Sequence, residues 1–538
     1  MKKLLKYKKY LLYVICFAFL CIIDQRKGSV TGNMQYFWSN CTGLAIALLI
    51  FSHYNIRDFL KKPYLIWLFI GILGIAGCLT LQKMGMVFPW DNVQLYSAIA
   101  NIFIYGFLVI RTILDLSGKP LNIKKFWFPG YMCLLFVLMG ASRNDSIWPW
   151  YFLLVFGTFA FTDFSETERK NLSFAFADGI IVGFLCVQGC AFVFRPYDVI
   201  RYLGMYANSN INALFYSIVY CAVLVRLFFF MFEYSGKCKK LLISFAMFMC
   251  GAMWSFCMLT GCRTALLSMG IVTCVAGALC LFRFNKRILL KGTGMIIGLA
   301  CCVIASFPIV YGCVRYIPAL FHHPIWFYVE YSEAKVHSWD PVDSEKYVDF
   351  DEILEYIQKR LFGVTLFEKE TTALIEKNYG FPLLCSAAEL THIEVQPEPL
   401  LPPTDDSTIL RYHIFKYYLS QLNMVGHLAE ENGIYITLGY VAPHAHNMYL
   451  QQAFDFGVPI GILFVGHIVL SMIHLLRKGI RFKNSYNWGL LLLFVNSCVF
   501  GLLEMMWKNG YLAFTIIFLT TIIAGRQQEK KRQDEMIQ

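Results

Sequence analysis

Charged side chains are scarce in this chain: Asp, Glu, Lys and Arg supply 15% of 538 residues, against 58% hydrophobic. So little charge cannot keep a folded surface of that size hydrated, which excludes a water-soluble enzyme. The sequence also lacks a phosphate-cradling glycine loop, a nucleophile elbow, an internal repeat and a low-complexity tract. Nor does it carry a polar segment large enough for an ATP-driven cytoplasmic domain. Nineteen cysteines are present, but an odd number scattered through apolar segments is no disulfide framework and reads as small apolar packing.

What is present is apolar sequence in membrane-sized lengths. Mean hydropathy is +0.54, and apolar stretches recur that can each cross a hydrocarbon core of about 30 Å. About fourteen are expected, near 10–23, 37–53, 64–81, 95–113, 126–142, 147–163, 172–194, 211–232, 241–259, 264–282, 289–311, 457–476, 486–506 and 511–525. The fold class expected is an all-α polytopic membrane protein. The opening "MKKLLKYKKYLLYVICFAFLCII" has a basic start and an apolar core without a small-residue cleavage site, so it reads as a retained signal anchor with a cytoplasmic N-terminus.

Basic residues in short loops resist translocation. Alternating from a cytoplasmic start assigns 30 of the 47 Lys and Arg to inner loops and tails, 8 to short outer loops and 9 to one long outer loop. The even number of spans returns the C-terminus to the cytoplasm. The organisation expected is a membrane domain over 1–311, an extracytoplasmic loop over 312–445, further spans over 446–525 and a tail over 526–538. The loop holds 19 of the 35 acidic residues against 9 basic ones, a net of −10, so the chain's +12 describes inner loops facing anionic lipid and not a nucleic-acid surface. Within the loop, "DFDEILEYIQKRLFG" and "ILRYHIFKYYLSQL" have helical spacing, and "VQPEPLLPPTDDS" reads as an extended connection. Cys313 and Cys385 fall in the same loop, where a bridge between them is conceivable.

This topology brings four polar clusters to the outer face. "RYLGMYANSNINALF" carries Arg201, Asn208, Asn210 and Asn212; "LTGCRTALL" confines Arg263 to a short turn; "ILRYHIFKYY" carries Arg411 and Lys416; "PHAHNMYLQQAFDFGVPIG" carries His444, His446 and Asn447. Arginine suits a lipid-linked diphosphate, because its planar fork makes charged, bidentate contacts to phosphate oxygens at the interface. Plain readings stand beside this one. Arg263 could snorkel at a helix end, Arg201 could anchor at the interface, Arg411 could be a solvated helix charge, and the asparagines could be turn formers and caps. His446 could cap the return into the membrane, and His444 with His446 lacks a third metal ligand. Glu504 reads as functional because it is an intramembrane acid, although Lys508 one turn on offers an ion pair.

"HAHNMYLQQAFDFGVPIG" resembles the histidine signature of the O-antigen ligase and polymerase family, with His446, Asn447, Gly457 and Gly461 in its places. "LTGCRTALL" resembles the family's arginine turn, "RYLGMYANSNINA" its asparagine-rich segment, and "ILRYHIFKYYLSQLNMVGH" its loop arginine followed by a glycine. The resemblance covers about residues 200–475; Cys262 stands where serine or glycine is usual, Ser209 replaces a proline, and "GVPIG" has a longer glycine spacing. What it implies is a GT-C-like inverting glycosyltransferase in the cytoplasmic membrane with no cofactor. It would take a glycan from polyprenyl diphosphate on the outer face and pass it to a glycan, lipid or cell-wall acceptor. A flippase and a chain-length regulator of the same route would be partners. Polymerisation of envelope polysaccharide repeat units is expected first, ligation to a lipid or wall acceptor second, and a flippase or transporter third. In that scheme Arg263 and Arg411, with Arg201, hold the diphosphate, and His446 orients or deprotonates the acceptor. Asn208, Asn210, Asn447, Lys416 and Glu504 serve as substrate contacts.

The topology makes a direct prediction. An alkaline-phosphatase fusion after Arg360 is active, and one after Lys483 is inactive and cytoplasmic.

Overall fold

The computed structural model describes residues 2–29, 33–84, 92–117, 123–194, 201–206, 208–283, 288–321, 407–428, 434–437, 440–442, 444–504 and 512–525. Among them the chain is helical apart from one antiparallel hairpin, β1 (Ile434–Thr437) with β2 (Tyr440–Ala442). The first helices are α1 (Lys2–Ser29), α2 (Asn33–Phe51), α3 (Lys62–Lys83), α4 (Asn92–Ser117), α5 (Ile123–Gly140), α6 (Trp148–Phe161), α7 (Glu166–Phe194), α8 (Ser209–Phe232), α9 (Lys239–Leu259), α10 (Arg263–Arg283) and α11 (Ile288–Phe321). Then come α12 (Ser407–Ser420), the short α13 (Met448–Phe456), α14 (Val458–Phe482), α15 (Ser485–Phe500) and α16 (Leu512–Ala524). Each expected apolar span overlaps one of these helices among the described residues. Eight helices are long and apolar enough to cross a membrane, and five further apolar segments are shorter.

Several helix ends differ from expectation, α11 and α15 among them. α11 does not stop at residue 311 but runs on to Phe321. Arg315 is accommodated there because its guanidinium lies over the Tyr311 and Tyr316 rings and donates to the Tyr311 hydroxyl at 2.8 Å. α15 ends at Phe500, six residues before the apolar run does, because the Gly501 carbonyl accepts the Met448 N–H at 2.8 Å where α13 begins. The acidic helix expected at 349–363, most of the proline-rich connection, Cys385 and Lys508 lie outside the described residues.

α8 is apolar on all sides and is buried along nearly its whole length, packed on α7, α9, α10 and α15. α3 is the opposite case, presenting Leu65, Ile66, Phe69, Ile70 and Leu73 outward as a face suited to lipid. Lipid tails give apolar helices no hydrophobic reason to associate, so close approach and buried polar pairs must hold the bundle together. Both are present. A Cβ at Gly179 or Gly183 of α7 would stand 2.4 Å from Phe17 Cβ or 2.6 Å from Cys21 Cβ, so these glycines let α1 pack directly on α7. Asn496 of α15 donates to Ser217 of α8 at 2.9 Å and accepts from Ser268 of α10 at 2.7 Å. Asp178 of α7 is held bidentately by Nε and Nη2 of Arg226 from α8 and accepts the Tyr10 hydroxyl of α1 at 2.6 Å.

At Gly457 the chain breaks between α13 and α14 with φ +94° and ψ 153°, a region essentially confined to glycine. A Cβ there would meet the Met424 carbonyl oxygen at 2.5 Å. The segment after α12 is thereby laid against the break, with Val458 N–H donating to the Asn423 carbonyl at 2.9 Å and His427 N–H to the Asp455 carbonyl at 3.1 Å. Gly457→Ala should therefore cost about 3 kcal/mol. Gly270→Ala, in the open space beside α10, should be neutral or slightly stabilising. Thermal unfolding of the detergent-solubilised variants measures both.

Candidate functional site

Five separated segments meet where α8, α10, α13 and α14 begin and α9 and α15 end. α12 presents Arg411, Ile414 and Tyr418 on one face, since residues three and seven apart nearly align on a helix. Ile414 and Tyr418 bury against Phe454 of α13 and Ala445, and this small core aims Arg411 inward. The Gln451 side chain accepts the Ala445 N–H at 2.7 Å and donates to Asp455 at 2.7 Å, fixing the histidine loop on α13. Asn447 caps α13 by accepting from Leu450 N–H at 2.9 Å, and its amide donates to the Leu502 carbonyl at 2.8 Å. His446, just before the cap, has φ +48°. A left-handed conformation costs a non-glycine residue about 1–2 kcal/mol and is a recurrent feature of functional sites.

Glu504 is the junction. Its Oε1 accepts from Arg411 at 2.6 Å and from the Asn210 amide at 3.0 Å, while Oε2 stands 3.5 Å from His446 Nδ1. Asn210 in turn accepts from Arg201 at 2.5 Å, and Arg201 Nε donates to the Thr260 carbonyl at the end of α9, at 2.8 Å. Burial by itself would raise the Glu504 pKa, but the His446 contact and the Arg411 charge outweigh it and hold the carboxyl below the ordinary glutamate value. Cys262, buried in the turn before α10, senses the same charges. Burial and then Glu504 push its thiol up to about 11, with Arg201 and Arg411 opposing. Arg263 follows it directly as the first residue of α10, with an exposed side chain.

The expected site residues thus separate into groups. Arg201, Asn210, Arg411, His446 and Glu504 form one connected network, and Arg263 stands at its edge beside Cys262. Asn208 caps α8 by accepting from Asn210 N–H at 2.8 Å, and Asn447 caps α13, so both use their side-chain oxygens on the backbone. Lys416 is exposed on another face of α12 and joins none of the network's contacts among the described residues. His444 packs edge-on against His446, ring centroids 4.3 Å apart. Among the described residues no group of three or more His, Cys, Asp or Glu could hold a metal ion.

No protein-family model and no curated protein matches this chain. The site's chemistry must be read from its own residues. Arg411 pairs with Glu504 directly, Arg201 reaches it through Asn210, and Arg263 follows Cys262 at the start of α10. Guanidinium groups suit an anionic ligand such as a phosphate, because their planar fork gives charged, bidentate contacts.

Sequence reasoning missed Thr260, Gly501 and Leu502, which act through backbone carbonyls that no side-chain pattern announces. It also passed over Gln451 and Asp455. Their signal was legible as polar residues one turn apart in a short, mostly apolar helix.

The lowered Glu504 pKa carries a sign. A carboxylate with a depressed folded pKa contributes stability in full above its unfolded value, and loses it as pH falls through the folded one. The unfolding temperature of wild type should exceed that of Glu504→Gln at neutral pH, and the gap should close as pH drops below 4.5, the ordinary value.

Proposed function

We propose that the chain is a glycosyltransferase of the cytoplasmic membrane that polymerises polyprenyl-diphosphate-linked repeat units of an envelope polysaccharide on the outer face. The observation that carries this reading is the junction at Glu504. Arg411, His446 and Asn210 are distant in sequence yet meet at one carboxylate, Arg201 reaches it through Asn210, and Arg263 follows Cys262 in the adjoining turn. Further support comes from the opposite end of the bundle, where Arg169 and Lys478 bind the last carbonyls of α16 and Lys9 pairs with Glu168. That basic end fits the inner side, leaving the arginine and histidine end outside. Fourteen spans with both termini inside fit the same arrangement.

In the proposed reaction Arg263 and Arg411, supported by Arg201, hold the diphosphate at the lipid boundary. His446 faces Glu504 through Nδ1, so Nε2 is the nitrogen that receives the acceptor hydroxyl proton. The acceptor oxygen then forms its bond to the anomeric carbon from the side opposite the diphosphate. The carbon–oxygen bond to the diphosphate breaks, its electron pair leaves with the polyprenyl diphosphate, and the arginines neutralise the charge that develops. The proton on His446 passes to solvent. No nucleotide sugar or ATP is required, since the leaving group arrives activated.

The transporter reading expects an ionisable path through the bundle. Asp178, its best candidate, is enclosed by Arg226 and Tyr10, which favours a structural clamp over a path.

His446→Ala and Arg263→Ala should each lower glycan transfer at least about 100-fold with normal amounts of protein in the membrane. Near-normal transfer in both would overturn the proposal. Deleting the gene and sizing the glycans separates the classes. Single repeat units on the lipid carrier at the outer face fit a lost polymerase. Full-length polymer stranded on its carrier would mean a ligase, and single units trapped facing the cytoplasm a flippase.

A further inference from the structure

Between Lys416 and Glu430 the chain carries no charged residue, although the loop around this run holds 19 of the 35 acidic residues. Within the run, Met424 and Val425 form the tip of a tight turn after α12 and are 69% and 58% exposed. The turn is fixed from behind. The Asn423 side chain accepts from the N–H groups of Val425 at 2.9 Å and Gly426 at 2.6 Å. Gly426 has φ +84°, and a Cβ there would stand 2.3 Å from the Asp455 carbonyl oxygen, so the backbone behind the tip is packed directly on α13. Two apolar side chains are thus held outward by a turn that has little freedom to withdraw them.

The neighbours of the turn set its level in the bilayer. The Asn423 carbonyl accepts the Val458 N–H at the start of α14, and Ile462, one helical turn further along the same face, is 66% exposed. Val465 and Val469 continue that exposed apolar face down the helix. The Asn144 amide donates to the His427 carbonyl at 2.9 Å, which ties the turn to the connection between α5 and α6. Ile147 and Trp150 are exposed there, and the Trp150 indole donates to the Gly140 carbonyl at the end of α5 at 3.1 Å. An exposed tryptophan whose N–H is satisfied at a helix end is suited to the membrane–water boundary.

We propose that the Met424–Val425 turn dips into the acyl-chain region of the leaflet on this side of the bundle, anchoring the last part of the long loop in lipid. The partner is phospholipid hydrocarbon, because the run offers no charge to a polar ligand and its tip stands directly above the exposed apolar face of α14. The anchor holds α12, and Arg411 with it, at the bilayer surface. This inference goes beyond the glycosyltransferase reading and does not depend on it.

The test installs p-benzoylphenylalanine, whose photoexcited ketone inserts into nearby C–H bonds, at Met424 or Val425 of the full chain. Ile462 serves as the lipid-facing reference, and the protein is held in nanodiscs of phosphatidylethanolamine and phosphatidylglycerol. After irradiation and digestion, mass spectrometry should find phospholipid adducts on both tip positions at a yield comparable to that at Ile462, with the new bond on an acyl carbon. Attachment confined to headgroup or glycerol carbons would describe a turn resting on the surface and would overturn the insertion. Crosslinks to another part of this chain or to a second copy, or a probe left unattached, in the absence of lipid adducts, would overturn it as well. Both tip positions are exposed, so the probe replaces no buried contact; where one variant does not accumulate, the other decides.

Discussion

A carboxylate taken out of water at a membrane boundary costs several kcal/mol unless positive charge and hydrogen bonds surround it. Glu504 meets that cost by recruiting Arg411 from α12, Asn210 from the start of α8 and the His446 loop. Because each partner belongs to a different segment, the ion pair and hydrogen bonds also define where those segments sit. Arg201 extends the network to the end of α9 through Thr260, so the turn that carries Cys262 and Arg263 is drawn to the same place. The rest of the site follows from satisfying one buried charge.

The backbone prepares the ground for this. Asparagine caps open α8 and α13, the Gly457 break turns α13 away from α14, and the Gly501 carbonyl receives the first N–H of α13. These devices satisfy helix ends that would otherwise expose unpaired groups near lipid. Ser209 stands at the first position of α8, where proline is favoured but not required, and Cys262 stands at the cap position before α10, where serine or glycine would be usual.

The apolar helices were legible because hydrocarbon thickness imposes a minimum apolar length that a hydropathy reading detects. Helix ends were less so: α11 runs on past Arg315 because two tyrosine rings cover its charge, and α15 stops early because α13 abuts it. Within the site, the arginines and His446 stood out as polar residues in apolar surroundings. The caps formed by Asn208 and Asn447 did not, since an asparagine in a turn looks the same whether it contacts substrate or backbone. Glu504 was visible as an acid in an apolar run, but its neighbour in sequence suggested Lys508 as partner, whereas the described contacts run to residues far away in the chain.

What the sequence by itself determined is the apolar character suited to a membrane and where the apolar helices lie along the chain. Each of these depends on composition within a window of some twenty residues, and a bilayer reads such windows independently of one another. Only the tertiary structure decided that Arg411, Asn210 and His446 share one carboxylate, that Arg201 reaches them through a helix end, and that Lys416 stands apart. Those outcomes depend on which helix faces meet and where each helix stops. Packing between distant segments sets both, and no local pattern encodes it.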